Sequence, residues 1–454
     1  MGSISSINLN ALLSALGSSS TGINVQAAVA QALAAISGPE QQWQAEQVTL
    51  QSQTNDINSI LKDIASLTDT LSALGDPVGA LTSMATTSSN SGIVTASAAA
   101  GTVAGNHVVV VNNLASTASW YSNSVASSST TLAAGSFDLQ IGSGQPTHVT
   151  IGSGVDTLDQ LATYINGLGQ GVTASVVNDS SGSRLAIVST ASGSAANFTI
   201  SNPSGLTFTQ GVVGNDASLT VDGIPIQSAS NTVTGAVTGL TLNLKGAAPG
   251  TQVNISVAPD ATQISKAVND FVDAYNTVIK DVNSIYAVDA SNKQGALATD
   301  STLRVLQDDL LSTGSYTGTS GTITGLAGLG VTMNNGGTLS VDSSKLNNSV
   351  QNNFADVQTF MQGAASNGFA TSLKAQLSTL SDPTTGAFTV DLQSIKNQNS
   401  DLQDSIDNFQ DYLRTQQTLL TNEYNQADIL LQQLPGQLAQ LNAMLGLTNN
   451  KQGG

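Results

Sequence analysis

From Trp43 onward the apolar positions repeat in sevens. Trp43, Leu50, Ile57, Ile64 and Leu71 lie seven apart, and Ile60, Leu67 and Leu74 sit three beyond the last three of them. This is the a/d seam of a long helix, which Gly75-Asp76-Pro77 should end. About 35 residues at 1.5 Å each predict a rod of roughly 50 Å. A second seam follows Pro259-Asp260, where Asp260 can cap: Ile264, Val268, Phe271, Tyr275, Val278, Val282 and Ile285. A third runs through Leu402, Ile406, Phe409, Leu413, Leu420, Ala427, Leu431, Leu434, Leu438, Leu441 and Leu445. It has a stutter near Ala427 to Leu431, and Pro435-Gly436 should kink or break it.

Between the first two seams the period changes to two. Ile93–Ala99, His107–Val111, Phe137–Ile141, His148–Ile151, Val172–Val177, Leu185–Ser189, Leu219–Val221 and Leu240–Leu244 read as short strands separated by Gly-, Ser- and Asn-rich turns. One helix interrupts them, Thr157 to Asn166, with Leu158, Leu161 and Ile165 as its buried stripe. The fold class expected is therefore α+β: long terminal coiled-coil helices forming a stem, and an inserted β-rich head of one or two small domains. The expected division is a segment at 1–40 too poor in apolar residues to fold before a partner orders it, and an N-terminal coiled-coil helix at 41–86. The β-rich head follows at 87–258, with a compact unit at 137–200, then a helix and mixed stem domain at 259–390. A C-terminal coiled coil at 391–446 and a disordered tail at 447–454 complete it. Within 295–390 the Gly-rich run 314–337 reads as a flexible loop.

A long amphipathic helix can pack inside its own domain as readily as against another chain. Three seams in one chain can close into an intrachain bundle and leave seam surface at the chain ends for other subunits. The candidate assembly seam is thus Trp43, Leu50, Ile57, Ile64 and Leu71 on the first helix, with Leu402, Ile406, Phe409, Leu413, Leu420, Leu431 and Leu434 on the last.

Composition narrows the chemistry. Of 454 residues 40% are apolar, only 4% aromatic and 9% charged, so any core must be built from small aliphatic side chains. Twelve basic against thirty acidic residues leave a net charge of −18, which repels nucleic acid and anionic lipid surfaces. No stretch reaches the length of a membrane span, so no membrane insertion is expected, and Met1 to Ser20 does not read as a Sec signal peptide. Only Glu40, Glu46 and Glu423 are glutamates, so seam packing and not ion pairing must hold the helices. The absence of cysteine removes disulfides, thiolate metal sites and cysteine nucleophiles.

Candidate reactive residues fare poorly. His107 and His148 lie on strand patterns with no ligand cluster around them, and HExxH, EF-hand and GxSxG motifs are missing. Asn178-Asp179 and Asp222-Gly223 read as turn formers. Gly325, Gly328 and Gly330 imitate a nucleotide loop but run into a strand at Val331-Thr-Met, where phosphate-cradling geometry requires a helix. Spacing alone leaves paired acids of the glycosidase kind open, and nothing marks one pair out. No catalysis, cofactor or metal is expected.

Several segments together resemble one known family. Thr21-Gly22-Ile23-Asn24-Val25 ahead of an Ala/Gln/Leu stretch and Pro39 is similar to its N-terminal signature, and Val94-Thr-Ala-Ser97 with Gly105 to Ala115 to the strand pair that follows. Tyr164-Ile165-Asn166, Gly171 to Asp179 and Arg184 to Thr190 look like the hook IN motif of axial flagellar proteins. Phe271 to Asn276, Gly295-Ala-Leu297, Leu339-Ser-Val-Asp342 before Lys345-Leu346, and the C-terminal coil continue the likeness. The chain thus resembles the flagellar filament-cap family, FliD or hook-associated protein 2, along nearly its whole length. It departs in having fewer helix charges, and Asn24 where an acidic residue is common.

The resemblance implies a secreted protein that leaves the cell unfolded through the flagellar type III channel. It implies a homo-oligomeric ring at the distal filament tip that retains flagellin and guides its folding and insertion, and an export chaperone on the C-terminal helix. A hook–filament junction protein or adhesive axial protein is the alternative, and a secreted polysaccharide-cleaving enzyme a distant third.

Overall fold

The computed structural model describes residues 24–290, 292–318, 320–363 and 367–444. The expected tail at 447–454, the first 23 residues of the segment expected to be disordered, and Leu445 of the third seam lie outside the described residues.

Asparagine and aspartate start most of the helices. Asn24 accepts a hydrogen bond from the Ala27 N–H at the head of α1 (Val25–Ile36), an Ala-rich run with high helix propensity. This corrects the expectation of disorder for 1–40 over residues 25–36: the helix is capped, and it buries Ala28 and Val29 as it packs along the last helix of the chain. After one non-helical residue, Ser37, α2 (Gly38–Gly75) begins with Pro39 in its first turn and runs to the Gly75-Asp76-Pro77 stop.

The strands that follow are joined entirely in antiparallel fashion. A five-stranded sheet in the order β1 (Met84–Ser88), β15 (Val253–Pro259), β3 (Gly105–Asn113), β11 (Ala217–Val221), β12 (Ile224–Ser228) encloses one core. Its other wall is the sheet β13 (Thr232–Val237), β14 (Leu240–Leu244), β2 (Val94–Ala98). At the β1/β2 corner the Thr86 and Ser88 hydroxyls donate to the Ala96 and Val94 carbonyls, replacing ladder bonds where the sheets part.

A second core is inserted between β3 and β11. It lies among the sheet β10 (Phe208–Val212), β4 (Ser119–Ser122), β8 (Gly182–Ser189), β7 (Val172–Asp179), the sheet β6 (Thr147–Ile151), β5 (Gly135–Ile141), β9 (Phe198–Ser201), and α3 (Leu158–Gly167). Leu158, Leu161 and Ile165 of α3 are all buried, the stripe read from the sequence. Strands β1, β4, β9, β10, β12, β13 and β15 were not legible, being short, Ser- and Thr-rich or interrupted by Gly and Pro.

The chain returns to the stem through α4 (Ala261–Tyr286), capped by the Asp260 carboxylate, which accepts from the N–H groups of Thr262 and Gln263. Every position of the second seam is buried. Helices α5 (Ser301–Ser312), α6 (Ser343–Asn352), α7 (Phe354–Gln362) and α8 (Phe369–Ser381) and a small hairpin, β16 (Val331–Met333) with β17 (Leu339–Val341), pack around it. The run 314–337, expected as a flexible loop, contains a 3-10 turn at Leu326–Leu329 and the strand β16. Gly330 makes that turn possible: its φ is +82°, and a Cβ there would stand 2.8 Å from the Asp342 carbonyl.

The last helix, α9 (Ala387–Met444), is 58 residues long and passes through Pro435 without ending. The expected break is therefore absent. Pro435 removes the N–H that would pair with the Leu431 carbonyl, and the turns around it are exposed, so the loss is not that of a buried hydrogen bond.

Candidate assembly surface

The first-helix seam is the spine of the stem core. Leu50, Ile57, Ile64 and Leu71 are buried, as are Ile60, Leu67 and Leu74 between them. Their main partner is α4, then α8, and only then α9. Specific side-chain pairings of α2 with the C-terminal coil lie at the start of α2. There Trp43 meets Phe409 edge-on at 5.6 Å, Gln47 donates to the Gln403 side-chain carbonyl at 3.2 Å, and Gln410 donates to the Glu40 carboxylate at 2.8 Å. Above it, α4 and α8 share the seam core with Phe388 and Ile395 of α9.

The third seam divides accordingly. Leu402 packs partly buried against the stem core, Ile406 is buried, and Phe409, Leu413 and Leu420 are half-buried. Leu431 and Leu434 are 36% and 46% exposed, and Leu438, Leu441, Ile429 and Leu430 accompany them on the surface. A heptad pattern predicts burial wherever it runs; among the described residues nothing covers it beyond Ala427. That stretch is unpaired apolar surface and not a finished core.

Stem electrostatics are those of half-buried acids on helix flanks. Burial, reinforced by the hydrogen bond that the protonated Asp63 donates to the facing Asp281 on α4 and by the Asp281 charge, pushes the Asp63 carboxyl up to about 6 against the pull of Lys62. Burial also raises Asp56, and burial with the neighbouring Asp308 raises Asp309. Tyr275, buried within the second seam, is raised by burial and donates to the Leu310 carbonyl at 2.8 Å. In the head the effect reverses. Hydrogen bonds from Asn202 and His148 hold Asp138 down, and those from His107 and the Val108 N–H hold Asp222 down. Both histidines are thus partners of aspartates, one at a turn and one within β5: His107 Nδ1 lies 2.7 Å from Asp222, and His148 Nδ1 lies 2.6 Å from Asp138 on the neighbouring strand. Asp222 itself turns with φ +53°. Among the described residues no group of three or more potential metal ligands occurs, and no helix is long and apolar enough to cross a membrane.

One set of residues escaped the sequence reading. Four asparagine side chains each grip the backbone of a single residue through both its N–H and its C=O, as a neighbouring strand would: Asn166 on Ala174, Asn197 on Gly214, Asn231 on Ala115 and Asn276 on Leu339. The distances run from 2.7 to 2.9 Å. The available signal was an amide beside a buried helical stripe, at Asn166 after Ile165 and Asn276 after Tyr275.

Comparison with known proteins gives a consistent result. Residues 21–118 match the family model described as flagellar hook-associated protein 2 N-terminus, residues 214–435 that of its C-terminus, and residues 136–191 the flagellin hook IN motif. The B-type flagellar hook-associated protein 2 of Pseudomonas aeruginosa is 26% identical over 326 residues, spanning 63% of this chain and 68% of that one. The flagellar hook-associated protein 2 of Escherichia coli O157:H7 is 29% identical over 321 residues, 65% of this chain and 69% of the relative. The crystal structure of the flagellar cap protein FliD D1-D2-D3 domains from Escherichia coli superposes with a TM-score of 0.60 at 23% identity, covering 75% of this chain and 99% of that one, which establishes a shared fold.

Proposed function

We propose that this chain, which belongs to the flagellar hook-associated protein 2 family, is the structural cap at the distal end of the bacterial flagellar filament, retaining exported flagellin and guiding its folding and insertion. The observation that carries the reading is the division of α9: a stem whose core is complete within the chain continues into an apolar helix face that the described chain leaves open. Such an end is suited to seating on other subunits, while the β-rich head stands apart on cores of its own. The chemistry is binding and steric guidance. Copies of this chain in a ring, flagellin at the growing tip and an export chaperone on α9 before assembly are the partners this implies. The test is a deletion, which should leave cells non-motile and shedding unpolymerised flagellin; a motile strain with normal filaments would refute the assignment.

The hook IN unit at 136–191 favours a second reading, a junction or adhesive axial protein of the flagellum. Labelling the protein on intact filaments separates the two, since a cap sits at the far tip and a junction protein beside the hook.

A further inference from the structure

The chain contains three Asn-Gly pairs, at 166–167, 335–336 and 367–368. In such a pair the glycine nitrogen can reach the asparagine side-chain carbonyl carbon because no Cβ stands in the way. Ring closure needs a free side-chain amide and a backbone N–H that is not engaged.

The three sites differ sharply in both respects. Both ends of the Asn166 amide are held by Ala174, at 2.9 and 2.7 Å, and Gly167 belongs to helix α3. At 367–368 the Gly368 N–H donates to the Gln362 carbonyl at 3.0 Å, and the glycine is buried against backbone on several sides. At 335–336 both residues are exposed at the tip of the β16–β17 hairpin. Among the described residues neither the Asn335 side chain nor the Gly336 N–H has a hydrogen-bond partner, and open space surrounds the position a Gly336 Cβ would take.

We propose that Asn335 is a site of spontaneous deamidation through a cyclic imide, and that the fold shields the other two Asn-Gly pairs from the same reaction. The Gly336 nitrogen, giving up its proton, bonds to the Asn335 side-chain carbonyl carbon; the bond from that carbon to Nδ2 breaks and ammonia leaves with the proton. Water then opens the imide at either carbonyl, leaving aspartate or isoaspartate at position 335. No oxidant and no reactant other than water is needed. The product carries one more negative charge. As isoaspartate it also has an extra methylene in a loop held by Gly337 N–H to the Asn334 carbonyl and Asn334 N–H to the Thr338 carbonyl. That loop sets the position of Leu339, which Asn276 grips, and its Gly336 carbonyl accepts from Asn283 of α4. The change is therefore a one-way loosening of the hairpin against the stem.

The experiment ages the full-length chain at mildly alkaline pH, natively and in urea, and follows the three sites by peptide mass mapping for the mass gain of amide hydrolysis. Native conversion at 335 should approach its rate in urea, while 166 and 367 should be slower in the native chain by on the order of tenfold or more. Equal protection of all three sites, or faster conversion at 166 than at 335 in the native chain, would overturn the proposal. Asn335→Gln, too long for the five-membered ring, should abolish the gain at 335 and leave the other two sites unchanged; persistence of the gain there would also overturn it.

Discussion

Asn276 stands one residue past the buried Tyr275, and its amide supplies Leu339 with both of the hydrogen bonds a missing strand would make. Its value lies in satisfying backbone groups that the small hairpin cannot otherwise pair. Asn276→Ala should lower the unfolding free energy by about 2 kcal/mol, the cost of stranding a part-buried donor and acceptor, whereas Asn335→Ala on the exposed tip should change it by less than about 0.5 kcal/mol. Urea unfolding followed by circular dichroism distinguishes them. Asp63 makes a second residue-scale prediction, on pH. Its folded value of about 6 lies above the 3.8 of an unperturbed aspartate, so the folded chain holds a proton that the unfolded chain releases. That contribution to stability is fully present below about pH 4 and is lost as pH rises through about 6. Asp63→Asn should flatten the decline of the urea midpoint between about pH 4 and pH 6; an unchanged slope would assign the decline to other groups.

Among the elements, α2 tests the register of the heptads. Ile57 and Ile64 lie fully buried at its interface with α4 and α8, so Ile57→Asp or Ile64→Asp loses apolar contact and buries an unpaired carboxylate, each costing on the order of 4 kcal/mol. Ser59 and Ser66 on the outer face are exposed, and the same change there should stay within about 0.5 kcal/mol. Thermal unfolding of the four variants would show it, and similar losses at all four would mean the seam is misplaced. The exposed end of α9 predicts the opposite separation. Leu434→Ser with Leu438→Ser should leave the unfolding of the isolated chain unchanged but abolish filament capping, read as flagellin lost to the medium. Periodicity located both faces, since an apolar stripe is a property of one helix. Its partner was not legible, because which helix covers a stripe depends on chain segments hundreds of residues away.

At the scale of the whole molecule, buried residues fall into three separate clusters, one in the stem and two among the strands. The head has few charges, and its His107–Asp222, His148–Asp138 and Arg184–Asp179 pairs join residues of the head to one another. Residues 84–259 expressed alone should unfold in a cooperative calorimetric transition, and residues 119–212, with their own helix and two sheets, should retain one as well. A fragment 84–259 with native secondary structure but no transition would show that the stem is required to order the head.

What the sequence determined by itself was local or periodic: three apolar seams, the α3 stripe, Asp260 as a cap, a strand at Val331, and a head inserted between terminal helices. Each follows from spacing within a single element, and family likeness carried the rest of the functional reading. The tertiary structure alone decided where the heptads end as core and begin as surface, because burial at Ile57 and exposure at Leu434 arise from the same pattern and differ only in what lies opposite. It also decided the asparagine clasps, the Asp63–Asp281 contact and the passage of α9 through Pro435. These depend on distances between residues remote in the chain, or on whether water reaches a carbonyl, and no window of sequence holds either quantity.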